Sequence, residues 1–408
     1  MKSVKGTYKI FVEGFDWGCG VTKAILTLDH AITEFHAQDL RVTETKQVTD
    51  FSKAGHPVIV DTLARTLTDA YVSNEKGERI SGSSRHITLE LSVDQTTGSP
   101  LIFTVATQLN TWSDPYTLQI TLTENARMKA DDDVVGELTI DEMPEGRITA
   151  ADPFAFGRYA ARDGITYDYA YWSPGKASQT LVVWLHGMGE GGTERTDPYV
   201  TLLANKVTAL IGDEFQSMMG GAQILVPQCP TYWMDADGQG GNFNGGVIMA
   251  DGTSYYTSSL HELIEYHKTG MHADKVILAG CSNGGYMCLV MAKTYADEYA
   301  AYVPVCEAMP DLCLTQKDIE TLASVPMYFI YCRDDDIVNP HRHEVPTIRR
   351  MREAGAKDLH VSTTGRVTDE TGTYTYSSHW SWIYFHKNAC VCDEHGERVW
   401  EWMASKAQ

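Results

Sequence analysis

The chain has 408 residues, long enough for two hydrophobic cores, and its 43% hydrophobic content, 21% charged content and 34 glycines exclude a disordered or fibrous protein. Its 54 acidic and 33 basic residues give a formal charge of −21, which argues against nucleic acid or an anionic membrane surface as a partner. No apolar run reaches membrane-spanning length, and Met1 to Gly6 leads into strand-like sequence without an apolar signal core. The expected location is therefore the cytoplasm, or outside the cell if a signal has been removed. Nine cysteines, an odd number, read as buried thiols of a reducing compartment.

The first third is β in character. Ile87, Leu89, Leu91 and Val93 alternate with Thr88, Glu90 and Ser92, and Tyr116, Leu118, Ile120 and Leu122 alternate with Thr117, Gln119, Thr121 and Thr123. Such period-two runs predict half-buried antiparallel strands, and further runs lie at 7–15, 21–29, 58–72 and 101–109. Turn-rich pieces such as 73–77 and 95–100 separate them. The spacing suits an immunoglobulin-like β-sandwich over 1–145 that lacks the Cys-Trp-Cys core of antibody domains. Around 126–155 the pattern dissolves, and the Asp131 to Asp133 run reads as part of a solvated linker rather than a cation loop.

From about 150 to 408 strands and helices alternate, the pattern of a mostly parallel sheet flanked by helices. Strands are predicted over 166–172, 180–185, 222–226, 275–279, 301–305, 326–331 and 359–363, and helices over 199–211, 257–268, 284–298, 315–323, 345–354 and 397–405. Ligands of such sheets bind beyond the carboxyl ends of the strands.

The strand Val276 to Ala279 runs into Gly280-Cys281-Ser282-Asn283-Gly284, a G-x-S-x-G turn opening a helix, which makes Ser282 the candidate nucleophile. A serine hydroxyl needs a base that a carboxylate orients, in the chain order Ser, acid, His for an α/β-hydrolase arrangement. Asp334, Asp335 and Asp336 follow the strand Met327 to Tyr331, and one of them is the expected acid. His379 is the favoured base, with His386 and His395 as rivals by order alone. His341-x-His343, Cys390-x-Cys392 and Cys313 lack a completing ligand pattern, so no metal is expected. For the oxyanion, Asn283 supplies one backbone N–H, and Met188, in the glycine-rich loop after Leu185, supplies the second. Glycines such as Gly187 let that backbone approach a substrate. The long glycine-rich segment 232–257 is read as a substrate rim, with Trp233 and Trp380 as platforms for an aromatic acyl group or a sugar ring.

His186-Gly187-x-Gly189-Glu190, Pro227-Gln228-Cys229-Pro230, Gly280-Cys281-Ser282-x-Gly284-Gly285, Asp335-x-x-Val338 and His379-x-x-Trp382 together resemble α/β-hydrolase esterases of the carbohydrate-active and feruloyl type. Several members carry an immunoglobulin-like N-terminal domain, whose opening Asp16-Trp17-Gly18 resembles. The resemblance implies Ser282 as nucleophile, Asp335 as acid, because the family's acid stands three residues before a valine, and His379 as base. It implies an ester hydrolase without cofactor, acting on a small-molecule or oligosaccharide ester with short-chain, acetyl or hydroxycinnamoyl acyl groups. A homo-oligomer stays open. Two other readings stand beside it: a prolyl-oligopeptidase-like serine peptidase, against which the short β region and absent blade repeats count, and a binding protein on an inactive hydrolase fold.

Overall fold

The computed structural model describes all residues except 176–177, 194, 241–242, 245–246 and 249, and only the backbone of 243–244 and 247–248. Gly241, Asn242, Gly245 and Gly246 of the expected substrate rim thus lie outside the described residues. Contacts divide the chain into two compact units: residues 1–105 with 110–152, and residues 106–109 with 153–408.

The first unit is all-β. One sheet has the strand order Gly146–Thr149, Lys2–Phe15, Asp133–Ile140, Lys129–Ala130, Gly18–Glu34, Ser84–Leu91, Leu67–Ser73. A second is ordered Val58–Arg65, Leu40–Thr49, Tyr116–Leu122, and Leu101–Thr104 pairs with Leu109–Trp112. The alternation works as the pattern predicts: Tyr116, Leu118 and Ile120 are buried on one face. The two sheets are tied where the Leu118 N–H donates to Tyr8 Oη at 2.8 Å. Two expectations need correction. The strand Lys2–Phe15 pairs parallel with both 133–140 and 146–149, so the sheet is mixed. The stretch 126–155 is not a linker, because three of its segments are strands of that sheet. Only Ala130, Val135 and Thr149 in those strands are buried, too thin a pattern to read from sequence. Asp131 and Asp132 form their turn with φ of 46° and 68°, and Asp131 pairs with Lys2 at 2.9 Å and His30 at 2.8 Å.

The second unit holds an eight-stranded sheet whose strands are β1 (Ala155–Ala160), β2 (Thr166–Trp172), β3 (Thr180–Leu185), β4 (Gln223–Gln228), β5 (Lys275–Cys281), β6 (Ala301–Val305), β7 (Met327–Cys332) and β8 (Leu359–Thr364). Their order is β1-β2-β4-β3-β5-β6-β7-β8, with β2 antiparallel to both neighbours and all later pairs parallel. This is the mostly parallel sheet flanked by helices that the alternation predicts, in the α/β-hydrolase arrangement that the resemblance implies. Every residue of β3, β4, β6 and β7 is buried, as a sheet covered on both faces requires. The helices are α1 (Pro198–Leu203), α2 (Asp213–Met218), α3 (Thr257–Gly270), α4 (Asn283–Thr294), α5 (Gln316–Leu322), α6 (Glu344–Glu353), α7 (Trp382–His386) and α8 (Val399–Lys406). β1 escaped the sequence reading because none of its residues is buried. No helix among the described residues is long and apolar enough to cross a membrane.

Buried carboxyls meet two different fates. In the first unit the fully enclosed Glu44 accepts from Arg65 Nη1, from Tyr116 Oη at 2.7 Å and from the Gly98 N–H at 3.2 Å, and its Oε1 lies 3.2 Å from Lys46 Nζ. Arg65 Nη2 in turn caps the carbonyls of Val21 and Ser92, each at 2.9 Å. In the second unit, Glu307 and Glu344 are wholly buried, yet both oxygens of Glu344 and Oε1 of Glu307 lack hydrogen-bond partners. Burial pushes both carboxyls well above the ordinary 4.5, and the charges of Glu307 and Asp335 add to the effect on Glu344.

Removing one partner of a buried network strands the others, so Glu44→Ala is expected to destabilise the first unit by about 3–5 kcal/mol, read by chemical denaturation. For Glu344 the sign is opposite. The folded state keeps a proton that the unfolded chain releases above pH 4.5, so this residue costs stability as the pH rises from there. Glu344→Gln, a neutral isostere, is expected to melt higher than the parent at pH 8, with the gap closing towards pH 4; a constant gap in melting scans across that range would refute the buried proton.

Candidate active site

β5 ends at Cys281, and the chain turns into α4 through Ser282, whose φ of 54° and ψ of −112° lie in territory that residues with a side chain rarely adopt. Neighbouring strands hold that strain in place. The Ser282 N–H donates to the Val305 carbonyl at 2.8 Å, and the Ser282 carbonyl accepts from the N–H groups of Tyr286 at 2.9 Å and Ala308 at 3.2 Å. The flanking glycines are required sterically: a Cβ at Gly280 would stand 2.7 Å from the Leu185 oxygen, and one at Gly284 would stand 2.0 Å from it. β3, which leads into the Gly187–Glu190 loop, thus packs directly against the turn.

β7 delivers Asp335 to the same edge of the sheet. Its Oδ1 accepts the N–H groups of Ile337 and Val338, each at 2.9 Å, and its Oδ2 lies 2.7 Å from Nδ1 of His379. The Asp335 side chain is fully enclosed, whereas Asp334 and Asp336 are exposed, and Asp336 instead accepts from Ser378 Oγ at 3.0 Å. His379 sits in the loop between β8 and α7, its ring edge-on to Trp382 at 5.6 Å. The rivals go elsewhere. His386 is buried against Trp184 with neither ring nitrogen bonded, and His395 lies beside His360. His343 Nδ1 is taken by the Asn339 carbonyl at 2.8 Å. Among the described residues Ser282 Oγ makes no hydrogen bond, so the structure joins Asp335 to His379 and leaves the Ser282 hydroxyl unbonded.

The loop expected to receive an oxyanion follows β3. Met188 opens a single 3-10 turn, Met188–Glu190, and is half-exposed, while Gly187 is buried against Glu190 and Cys281. His186 fixes this loop. Its Nε2 accepts the Cys229 N–H at 2.9 Å, so Nδ1 carries the proton and donates to the Gly187 carbonyl at 2.5 Å. Burial pulls its pKa down to about 4, so the ring is neutral in ordinary buffers and clamps the loop to the end of β4. Asn283 opens α4, where the first N–H groups have no intrahelical acceptor. Its side-chain oxygen accepts the Trp233 N–H at 2.5 Å.

Trp233 requires correction as a substrate platform. Its side chain is 0% exposed, wedged among Tyr167, His186 and Tyr256, so no ring face reaches a ligand. Trp380 is partly exposed beside His379, stacked on Tyr376 at 6.1 Å. Beyond Trp233 the rim is held by Asp235, a buried carboxylate that accepts from Thr231 Oγ1 at 2.6 Å and from the N–H groups of Gly238 at 3.1 Å and Gly240 at 2.8 Å. The sequence reading missed this anchor, as it missed Glu307. Glu307 stands two residues past the end of the apolar β6 and carries the same strand-end signal as Asp335 after β7.

Residues 7–136 match the esterase Ig-like N-terminal domain, and residues 169–365 match the phospholipase/carboxylesterase family. No curated protein matches the sequence. Among solved structures, a thermostable esterase superposes with a TM-score of 0.68 at 18% identity, covering 95% of this chain and 97% of its own. A ferulic acid esterase gives 0.41 at 15% identity over 57% of this chain and 93% of its own. Est1E from Butyrivibrio proteoclasticus gives 0.39 at 14% over 62% and 98%. The chain thus joins an esterase Ig-like N-terminal domain, residues 7–136, to a hydrolase domain of the phospholipase/carboxylesterase family, residues 169–365.

Proposed function

We propose that Ser282, His379 and Asp335 form a catalytic triad that hydrolyses small carboxylic esters through an acyl-enzyme. The observation that carries this reading is the 2.7 Å Asp335–His379 hydrogen bond at the sheet edge where Ser282 occupies its strained turn. Asp335 Oδ2 accepts Nδ1–H of His379, which leaves Nε2 as the basic nitrogen. As Ser282 Oγ attacks the ester carbonyl, Nε2 takes its proton, and the enclosed Asp335 stabilises the imidazolium. The N–H groups of Met188 and Asn283 receive the oxyanion, with Gly187 allowing close approach of the loop. The proton then passes to the leaving alkoxide, and water repeats the cycle on the acyl-enzyme.

For the acyl group, the half-exposed Trp380 beside the base supports an acetyl or a hydroxycinnamoyl ester, the aromatic acid stacking on the indole face. The eight buried, unpaired cysteines support a reducing compartment such as the cytoplasm.

Ser282→Ala is expected to abolish turnover of p-nitrophenyl acetate while the circular dichroism spectrum stays native; retained hydrolysis would remove Ser282 from the mechanism. Asp335→Asn leaves the histidine without an acceptor for Nδ1–H and is expected to lower kcat by about 10³–10⁴-fold. Asp334→Asn and Asp336→Asn are expected to stay within a few-fold of the parent. Comparing kcat/KM for acetyl, butyryl and feruloyl aryl esters with that for an aminoacyl-proline amide separates esterase from peptidase.

A further inference from the structure

Away from the proposed triad, α3 and the turn between α4 and β6 bring together three side chains to which the ester chemistry assigns no task. His261 and Glu265 stand one helical turn apart on α3, and Glu298 reaches them from the turn. One donor atom from each lies within 4.8 Å of the others.

We propose that His261, Glu265 and Glu298 bind one zinc ion, which ties α3 to the turn ahead of β6. Three observations carry this. First, His261 Nε2 and Glu298 Oε2 are 3.4 Å apart. A charge-assisted N–H···O bond closes to about 2.7–2.9 Å, whereas two ligands of a tetrahedral zinc with bonds of about 2.05 Å are separated by about 3.3 Å. Second, the imidazole is already oriented as a ligand. Its Nδ1 is 2.6 Å from Tyr299 Oη, and its ring stacks on Tyr295 with centroids 3.9 Å apart and planes 12° from parallel. Such an outer partner is what metal-binding histidines commonly possess. Third, the donor set of one imidazole and two carboxylates leaves a position for water and selects zinc over magnesium or calcium, which take oxygen. The formal charge of −21 raises the local cation concentration. One competitor is present: Lys268 Nζ holds Glu265 at 3.0 and 3.2 Å and must give way.

The site departs from the metal-free expectation of the sequence, whose candidates are Cys390, Cys392, Cys313, His341, His343 and the Asp131 to Asp133 run. His261 escaped because its partners are one helical turn and 37 residues away, a spacing outside the usual short motifs.

The test is calorimetric titration of zinc sulfate into the chelator-treated full chain. One saturable site per chain is expected, with zinc also raising the melting temperature. His261→Ala should lose the site while retaining its fold and ester hydrolysis. Glu298→Gln and Tyr299→Phe should each weaken binding about tenfold or more, and Lys268→Ala should strengthen it. Millimolar calcium or magnesium should not displace the zinc. The proposal is overturned if no saturable binding occurs, or if His261→Ala binds zinc with the parent's stoichiometry and affinity, which would assign the metal to other groups such as the half-buried Cys313.

Discussion

Everything at the candidate site depends on one backbone constraint, the left-handed turn at Ser282. A residue with a side chain held at φ 54° costs on the order of 1–3 kcal/mol and persists only where its surroundings over-determine it. Here the surroundings are β6, whose Val305 carbonyl takes the Ser282 N–H, and β3, whose Leu185 carbonyl leaves no room for a Cβ at Gly280 or Gly284. The turn is therefore a product of the parallel sheet. Three adjacent strands must be in register before the serine can point out from their carboxyl ends.

That arrangement explains how the loops communicate. The neutral His186 joins the Gly187–Glu190 loop to the end of β4 through Gly187 and Cys229, and the Asn283 side chain joins the start of α4 to the backbone of Trp233. Loops leaving β3, β4 and β5 are thus cross-linked by two buried side chains, leaving little for a substrate to organise. Preorganisation of this kind is the usual source of transition-state stabilisation by backbone N–H groups. Trp233 contributes by filling the core beneath this cross-link, and Asp235 carries the same rigidity into the described part of the rim through the N–H groups of Gly238 and Gly240.

Two kinds of buried carboxyl show how context overrides composition. Glu44 is enclosed with a guanidinium, an ammonium and a phenol directed at it, so its charge is matched within the fold. Glu307 and Glu344 are enclosed with oxygens left unbonded, and they avoid the cost of a buried charge by keeping the proton. Nothing in their immediate sequence distinguishes these glutamates. The distinction lies in what the neighbouring strands and helices bring to them.

The sequence by itself determined whatever local spacing controls. Continuous apolar runs predicted β3 and β6, a G-x-S-x-G turn after β5 marked Ser282, and the chain order of an acid and a histidine after later strands named a short set of candidates. It could not reveal β1 or the strands within 126–155, because strands with so few buried residues carry no alternation. Local spacing left three aspartates open and the family resemblance favoured Asp335; the tertiary structure supplies the physical reason, turning the N–H groups of Ile337 and Val338 towards Asp335 and its Oδ2 towards His379. It also buried Trp233, enclosed His386 against Trp184 and brought Glu298 to His261. Each of these outcomes depends on partners from distant segments, and such proximity is created by packing, which no local pattern encodes.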